Sequence, residues 1–426
     1  MSTLESVRIE GLWGDTTLEF SMDEKHNFLI GRNGSGKTTV INLISSVLLG
    51  DVEAIAKINF NRVELKLFSS ETRRKPSIIV YKDNADLVDD QKIIYEIKHL
   101  ASGEAITFGV ESFFDKVRHH RIGAIRRKRL IEDRYGNLQQ ELAKIVKISW
   151  ISVHRHIGEY EFDREDEVQS PVDLKLLLMR RHLGRYFSTL SSSYMDKTLE
   201  FQKDSFLSFL TSENENKLIN FSRKIEVEKE ENNLSKVFDL LGVDKEVYTE
   251  KLTTHLERFS EAMNTYEEDK ELTVFGFAAM YNTWKTHALI QYYEELQNNR
   301  SIIFENRDKF VEVINDLFTG QKSMSISPSD DLVFHTKKGK IINIEDLSSG
   351  EKQLLIIVGE ALLQKQNSVI YIADEPELSL HVSWQEQLTN AITRVNPNAQ
   401  IVFATHSPDI VSIYGDKVID MEKVLQ

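Results

Sequence analysis

The sequence contains no cysteine and only six prolines in 426 residues. The missing thiols exclude disulfides, thiolate metal sites and cysteine nucleophiles, so any bound metal must use oxygen or imidazole ligands. No apolar run approaches the roughly 18 residues that a membrane-spanning helix needs, and the N-terminal segment lacks the apolar core of a secretion signal. We therefore expect a cytoplasmic protein without a membrane segment.

The sequence lacks an excess of positive charge: 67 acidic residues outnumber 53 lysines and arginines, so the formal net charge is -14 and the isoelectric point lies near 5.4. This balance argues against a protein that coats nucleic acid with its whole surface. One segment differs: seven basic residues and no acidic residue lie between Lys116 and Arg129. Two interpretations stay open, namely that the run grips the phosphate backbone of DNA or RNA, or that it is a solvated helical face or a docking patch for an acidic partner.

The few prolines are distributed unevenly, and residues 173–327 contain none. This segment can therefore form long helices, with breaks expected at Gly242 and Gly276. Residues on both sides of it alternate or form short apolar runs, which predicts an α/β fold in which a helical insertion (171–305) separates an N-terminal lobe (1–170) from a C-terminal lobe (306–426). The predicted strands are Val7–Ile9, Phe28–Ile30, Val63–Phe68, Ile78–Tyr81, Ile148–Val153, Val369–Ala373 and Ile401–Ala404, with a hairpin of Met324–Ile326, Leu332–Phe334 and Lys340–Ile344 around a turn at Lys338 and Gly339.

A glycine-rich segment follows the strand at Phe28–Ile30. Residues 31–38 read Gly-Arg-Asn-Gly-Ser-Gly-Lys-Thr and match G-x-x-x-x-G-K-[ST], and an apolar helix is predicted at Val40–Leu49. Backbone N–H groups of such a loop surround phosphates, the lysine contacts the outer phosphates and the threonine hydroxyl binds Mg²⁺. We expect ATP and Mg²⁺ here, with the phosphate contacts supplied by Asn33, Gly34, Ser35, Gly36, Lys37, Thr38 and Thr39 and with Thr38 as a metal ligand.

Two carboxylates end the short apolar strand Val369–Ala373. The carboxyl ends of parallel strands are where α/β sheets present ligands. Asp374 is therefore expected to hold Mg²⁺ directly or through water, and Glu375 to orient and deprotonate the attacking water. Together with the loop at residues 31–38, this pair predicts ATP hydrolysis.

Residues 347–353 read Leu-Ser-Ser-Gly-Glu-Lys-Gln. Ser348 and Glu351 have the spacing of a capping box that opens the apolar helix Leu354–Leu363. The segment also resembles the signature motif of ATP-binding-cassette (ABC) ATPases. The resemblance implies that the signature of one subunit faces the nucleotide of another, so ATP would join a homodimer or higher oligomer, with Ser348 and Gly350 as γ-phosphate contacts in trans.

Two further segments match that family in the same order along the chain. Ser379, Leu380 and His381 resemble the loop that crosses the dimer interface, and His406, after the strand Ile401–Ala404, matches the switch histidine. The resemblance implies that His406 contacts the γ-phosphate and the attacking water. One residue of the family pattern is not evident in this sequence, namely the glutamine that normally follows an early strand and senses Mg²⁺. His154 and Arg155 occupy its candidate place, and Trp13 can equally be a packing residue or an adenine platform.

The distance between motifs narrows the choice within the superfamily. Lys37 and Ser348 lie 311 positions apart, whereas transporter subunits of this type have few residues between the two motifs. We therefore do not expect a transporter subunit. A split head with an insertion resembles the SMC and RecF ATPases. Residues 374–381, Asp-Glu-Pro-Glu-Leu-Ser-Leu-His, together with the signature segment, are most similar to OLD ATPases and their anti-phage relatives, Septu and PARIS. OLD nucleases carry a C-terminal TOPRIM domain, and with 20 residues after His406 we expect none here.

The resulting expectation is an ABC-type ATPase of bacterial anti-phage defence that senses and switches a separate effector, a nuclease or toxin. A RecF-like or SMC-like repair ATPase that clamps DNA directly is the first alternative. The second is a module that binds ATP without hydrolysing it and locks an assembly.

Overall fold

A computed structural model describes residues 2–83, 92–111, 124–151, 170–210 and 218–425. They form two compact units, of which one combines residues 1–186 with 306–426 and the other comprises residues 187–305. The predicted class is confirmed: an α/β body is built from both ends of the chain, and a helical segment is inserted between them. The predicted insertion starts at residue 171, whereas the division falls further on, inside the helix that begins there.

All described strands belong to the first unit and are numbered along the chain. They are β1 (Thr3–Leu12), β2 (Thr16–Ser21), β3 (His26–Ile30), β4 (Arg62–Phe68), β5 (Ser77–Asp83), β6 (Lys92–Lys98), β7 (Ile106–Glu111), β8 (Ile148–Ile151), β9 (Lys322–Ile326), β10 (Leu332–Thr336), β11 (Ile341–Ile342), β12 (Val369–Asp374), β13 (Ala399–Ala404) and β14 (Val418–Asp420). The described helices are α1 (Lys37–Leu49), α2 (Val52–Ala56), α3 (Ala124–Ile145), α4 (Pro171–Leu210), α5 (Leu218–Ser222), α6 (Val227–Leu240), α7 (Lys245–Asp269), α8 (Val274–Leu317), α9 (Ser349–Leu363), α10 (Val382–Val395), α11 (Pro408–Val411) and α12 (Met421–Val424).

Five parallel strands form the sheet that positions the motifs, in the order β14-β3-β13-β12-β8. Residues 369–373 of β12 form an apolar run buried on both faces, as is typical of a parallel strand covered by helices. The register pairs Leu29 with Ala404 and Ala404 with Asp374. The segments that follow β3, β13 and β12 therefore leave the sheet at one edge.

A six-stranded antiparallel sheet, in the order β2-β1-β4-β5-β6-β7, packs against helix α1. Its apolar side chains join those of α1 and of the parallel sheet in one core, which includes Val7, Leu65, Tyr95, Ile44 and Ile372. The strands predicted from the sequence include parts of β1, β4 and β5 but not β2, β6 or β7. Strand β6 carried a usable signal, because its residues Ile93, Tyr95 and Ile97 alternate with polar or half-buried ones.

The hairpin predicted after the helical segment is confirmed. Strands β9 and β10 pair antiparallel, and β10 continues to β11 through a turn in which Gly339 has φ 79°. Strand β11 is shorter than expected. Strand β8 covers Ile148–Ile151, and the last two residues of its predicted range, 152 and 153, lie outside the described residues.

The second unit contains the described helical residues of 187–305, including all of α5, α6 and α7. The proline-free segment forms long helices as predicted, and Gly242 separates α6 from α7. The expected break at Gly276 is wrong, because this glycine lies in the first turn of α8, where its N–H donates to Thr273 Oγ1 at 3.0 Å. Across the described residues, no helix combines the length and the apolar composition that crossing a bilayer demands.

Candidate functional site

The loop after β3 surrounds the amino group of Lys37. Nζ of Lys37 donates to the backbone carbonyls of Gly31 at 2.8 Å and Arg32 at 3.1 Å. The side chain is buried, and burial lowers the pKa of Lys37, although nearby carboxylates, Glu375 and Asp374 foremost, act in the opposite direction. An ammonium group held by carbonyls of its own loop can exchange them for the oxygens of an arriving phosphate.

The same loop offers donors that suit a phosphate chain. Helix α1 begins at Lys37, and its cap residue Gly36 is left-handed with φ 83°, so the first N–H groups of the helix open into the loop. The buried hydroxyl of Ser35 finds no hydrogen-bond partner among the described residues. The remaining predicted contacts lie in the exposed loop or in the first helical turn: Asn33, Gly34 and Thr39. These residues therefore fit a bound triphosphate.

The two residues expected to bind Mg²⁺ lie side by side. The hydroxyl of Thr38 donates to Oδ1 of Asp374 at 3.1 Å, although 336 positions separate them. Within the described ranges, no group of three or more acidic or histidine side chains is arranged to hold a metal ion. A magnesium ion at Thr38 and Asp374 would therefore take its remaining ligands from the substrate and from water, which Mg²⁺ prefers.

Glu375 and His406 face each other at the same sheet edge. Oε1 of Glu375 lies 3.8 Å from Nε2 of His406, and about a third of each side chain is exposed. Glu375 adopts φ 49°, a left-handed conformation that a residue with a side chain rarely takes. Its backbone N–H donates to the carbonyl of Ala404 at 2.8 Å, which anchors the strained residue to β13. Strain of this kind is typical of functional positions.

Sequence reasoning missed Glu377. Its Oε1 accepts hydrogen bonds from Thr405 Oγ1 at 2.7 Å and from the backbone N–H of His406 at 2.8 Å. The carboxylate is buried, and the signal that could have found it is a second acidic residue two positions after Glu375.

The signature segment has the capping box that was predicted. Ser348 Oγ accepts from the N–H of Glu351 at 3.3 Å, and the carboxylate of Glu351 accepts from the N–H of Ser348 at 2.7 Å. Gly350 lies against the loop after β12, because a Cβ there would be 2.6 Å from the carbonyl oxygen of Ser379. Ser348 is exposed. Within one chain, the contacts of Ser348 and Gly350 are thus with helix α9 and this loop, and the remaining predicted residues cluster around Lys37 and Asp374.

Three side-chain contacts fix the start of helix α9. They are the ion pairs Lys322–Glu351 and Asp173–Lys352, each at 2.7 Å, and the hydrogen bond from Gln353 Nε2 to the carbonyl of Pro376 at 2.8 Å. Burial acts to raise the pKa of Glu351, but the hydrogen bonds from Lys322 and Ser348 outweigh it and hold the pKa below its ordinary value. Glu351 is therefore a carboxylate that stiffens the signature segment.

Trp13 lies on the phosphate loop. A Cβ at Gly36 would be 2.2 Å from the indole ring of Trp13, so the ring rests on this glycine. The tryptophan is 46% exposed and has φ 57°. It is thus a strained, partly exposed aromatic residue beside the predicted phosphate contacts.

Two parts of the sequence interpretation cannot be placed. His154 and Arg155, where the glutamine was sought, lie outside the described residues. In the basic run, residues 116–123 also lie outside them, and the side chains of residues 124–129 are not described.

Comparison with known protein families gives a match along most of the chain. The family described as "AAA ATPase domain" matches residues 3–411. Among curated proteins, the retron Vc95 probable ATPase of Vibrio cholerae is 31% identical over 130 residues, which cover 28% of this chain and 24% of the relative. The Septu protein PtuA of Bacillus thuringiensis is 31% identical over 123 residues, covering 26% of this chain and 28% of the relative. The matches thus span about a quarter of each relative's length.

Solved structures give a looser match. The Smc head domain of Pyrococcus furiosus, with an extended coiled coil and bound to the C-terminal domain of ScpA, aligns with 97% of this chain and 92% of that chain, at 16% identity and a TM-score of 0.40. The Smc head domain of Pyrococcus yayanosii aligns with a TM-score of 0.34 at 14% identity.

Proposed function

The chain belongs to the AAA ATPase domain family, and from that premise we propose that it hydrolyses ATP at a site shared between two copies of the chain. The observation that carries the proposal is the meeting of four motif residues at one sheet edge. Thr38 donates to Asp374, and Glu375 faces His406, although the four residues come from three separate segments. Such a grouping supplies a phosphate cradle, a metal position, a base and a sensor together.

Each residue then has a defined task. Lys37 and the N–H groups at the start of α1 bind the β- and γ-phosphates and stabilise the charge that develops on them. Glu375 accepts a proton from water, whose oxygen bonds to the γ-phosphorus while the bond to the β-phosphate oxygen breaks and ADP leaves. His406 orients the water and the γ-phosphate. Thr38 and Asp374 would hold magnesium, which would neutralise charge on the phosphates.

The signature segment completes the site from a second copy. In one chain Ser348 is exposed and caps its own helix, so its hydroxyl and the helix N-terminus can meet a γ-phosphate bound elsewhere. We assign Ser348 and Gly350 to this contact. ATP then joins two copies, and a homodimer or higher oligomer is the active form.

The names of two relatives support a proposal for the cellular role. Because two of the curated matches are named as a retron ATPase and a Septu protein, we place this chain in anti-phage defence as an ATP-driven switch that controls a separate nuclease or toxin. The basic run at Lys116–Arg129 keeps one rival open, an ATPase that clamps DNA directly. DNA affinity that falls steeply with salt concentration would favour that rival.

The test compares wild type with Glu375→Gln, measuring ATP turnover and molecular mass by light scattering, with and without Mg-ATP. We expect wild type to turn over ATP only with Mg²⁺, and the variant to bind ATP, lose at least about 100-fold in turnover and accumulate as a larger assembly. The matched control is Glu104→Gln, an exposed carboxylate outside the site. Normal turnover and unchanged mass in Glu375→Gln would refute the assignment of the base.

A further inference from the structure

Glu377 connects the loop after β12 to the loop after β13. One oxygen, Oε1, accepts both the hydroxyl of Thr405 and the N–H of His406, at 2.7 and 2.8 Å. Thr405 is fully buried and Glu377 nearly so. Hydrogen bonds between a buried carboxylate and N–H or O–H groups are strong and directional, because water does not compete for them. The backbone of His406 is therefore held by a side chain from another segment.

A second connection between the same two loops is made by the backbone. The N–H of Glu375 donates to the carbonyl of Ala404. The loop that carries the base and the loop that carries the histidine are thus joined on both sides, by Glu375 to β13 and by Glu377 to Thr405 and His406. These two connections fix the position of one loop relative to the other. The distance of 3.8 Å between the side chains of Glu375 and His406 depends on that relative position.

Glu377 is itself fixed by neighbouring contacts. The carbonyl of Pro376, directly before it, accepts a hydrogen bond from Gln353 of helix α9. On the other loop, Ser407 donates to Gln385 at 2.6 Å, and Gln385 donates to the carbonyl of Leu380 at 2.9 Å. The carboxylate is therefore a rigid support for the histidine loop.

We propose that Glu377 is a positioning residue that holds His406 in register with Glu375, an inference that rests on the ATP hydrolysis proposed above. It acts through the backbone of His406 and contacts neither the substrate nor the reacting water. Its other oxygen, Oε2, is buried and finds no hydrogen-bond partner among the described residues. Only Oε1 makes the contacts that position the loop, so a carboxamide that keeps this acceptor should preserve them.

The first experiment is a double-mutant cycle on ATP turnover with Glu377→Ala, Glu377→Gln, His406→Ala and Glu377→Ala/His406→Ala. We expect Glu377→Ala to lower kcat about 30-fold with KM changed less than about twofold, and Glu377→Gln to retain most of kcat. The double variant should be no slower than His406→Ala alone, since Glu377 acts through that residue. Additive losses, a parallel rise in KM, or a glutamine variant as impaired as alanine would overturn the proposal.

The second experiment does not depend on turnover. Hydrogen exchange is measured on peptides that cover residues 399–411 in the full chain, for wild type and both Glu377 variants. The amide of His406 should exchange faster in Glu377→Ala and remain protected in Glu377→Gln. Unchanged exchange in Glu377→Ala overturns the positioning role even where this variant has lost turnover. If wild type lacks turnover altogether, the proposed function fails, and the exchange result still decides whether Glu377 holds this loop.

Discussion

The two units of this chain bury polar groups for different ends. In the α/β unit, the polar side chains of Thr38 in the first turn of α1, Asp374 at the end of β12 and Glu377 in the loop after β12 make hydrogen bonds around an accessible site. In the helical unit, the buried carboxylate of Glu230 accepts from Nδ1 of His287 at 2.8 Å, which ties α6 to α8 in the interior. The first arrangement leaves functional groups open to a ligand, and the second serves packing.

The largest effect is expected when the ammonium group in the phosphate loop of the α/β unit is removed. Lys37→Ala deletes the ammonium group that the phosphate loop holds, and a charge-assisted contact to phosphate is worth about 3 kcal/mol. We expect ATP affinity to fall about 100-fold, measured by calorimetry, with the helical unit unaffected. The matched control is Lys203→Ala, an exposed lysine of helix α4 in the helical unit. An equal loss of ATP affinity in both variants would contradict the assignment of the ATP site to the α/β unit.

A second prediction concerns the contact of the signature helix. Gly350→Ala would place Cβ 2.6 Å from the carbonyl oxygen of Ser379, so the helix or the loop must move. Displacements of this kind cost about 1–3 kcal/mol. We expect turnover to fall about 30-fold while ATP binding by the isolated chain is kept, since the loop around Lys37 is untouched. Gly415→Ala, where a Cβ meets nothing, is the control. Normal turnover in Gly350→Ala would show that this contact has no role in the reaction.

The sequence predicts features that depend on local patterns, and it does not predict contacts between distant segments. The phosphate loop, the acidic pair and the capping box are local patterns, and each specifies its own strand, loop or helix. The order of the parallel strands is not local, so the contact of Thr38 with Asp374 had to be inferred from a general rule about sheet edges. The pairing of Glu377 with Thr405 joins residues 28 positions apart. Glu230 and His287 lie 57 positions apart on helices, and no motif marks them.

A third prediction tests whether the helical unit depends on its buried pair. The hydrogen bond from Glu230 raises the pKa of His287, against the opposing effect of burial. The stability that this pair contributes is therefore complete below the ordinary histidine pKa of about 6.5 and is lost as pH rises through the raised pKa of the folded state. Protection factors for α6 and α8, corrected for the intrinsic exchange rate, should fall about tenfold over that range.

The control for this pH effect lies next to it in sequence. Glu230→Gln should abolish the pH dependence, because the imidazolium loses its partner, whereas Glu231→Gln, an exposed neighbour, should keep it. The α/β unit should show no matching change in its protection. A pH dependence that survives in Glu230→Gln would assign it to another group, and His255, whose pKa is lowered by burial, is the nearest alternative.

The smallest expected effect concerns Trp13 of the α/β unit and decides between two roles for this residue. In one the ring only packs against the phosphate loop, and in the other it binds the adenine base. The ring lies against Gly36 and the residue is 46% exposed, and stacking of a base on an aromatic side chain is worth about 1–3 kcal/mol. If Trp13 is an adenine platform, Trp13→Ala should weaken ATP about fivefold and leave inorganic triphosphate unchanged, while Trp13→Phe restores ATP binding. If Trp13 only supports the loop, both ligands should weaken together, because the phosphate contacts themselves are disturbed. The ratio of the two affinities, measured by calorimetry on the same preparations, separates a contact made to the base from one made to the loop.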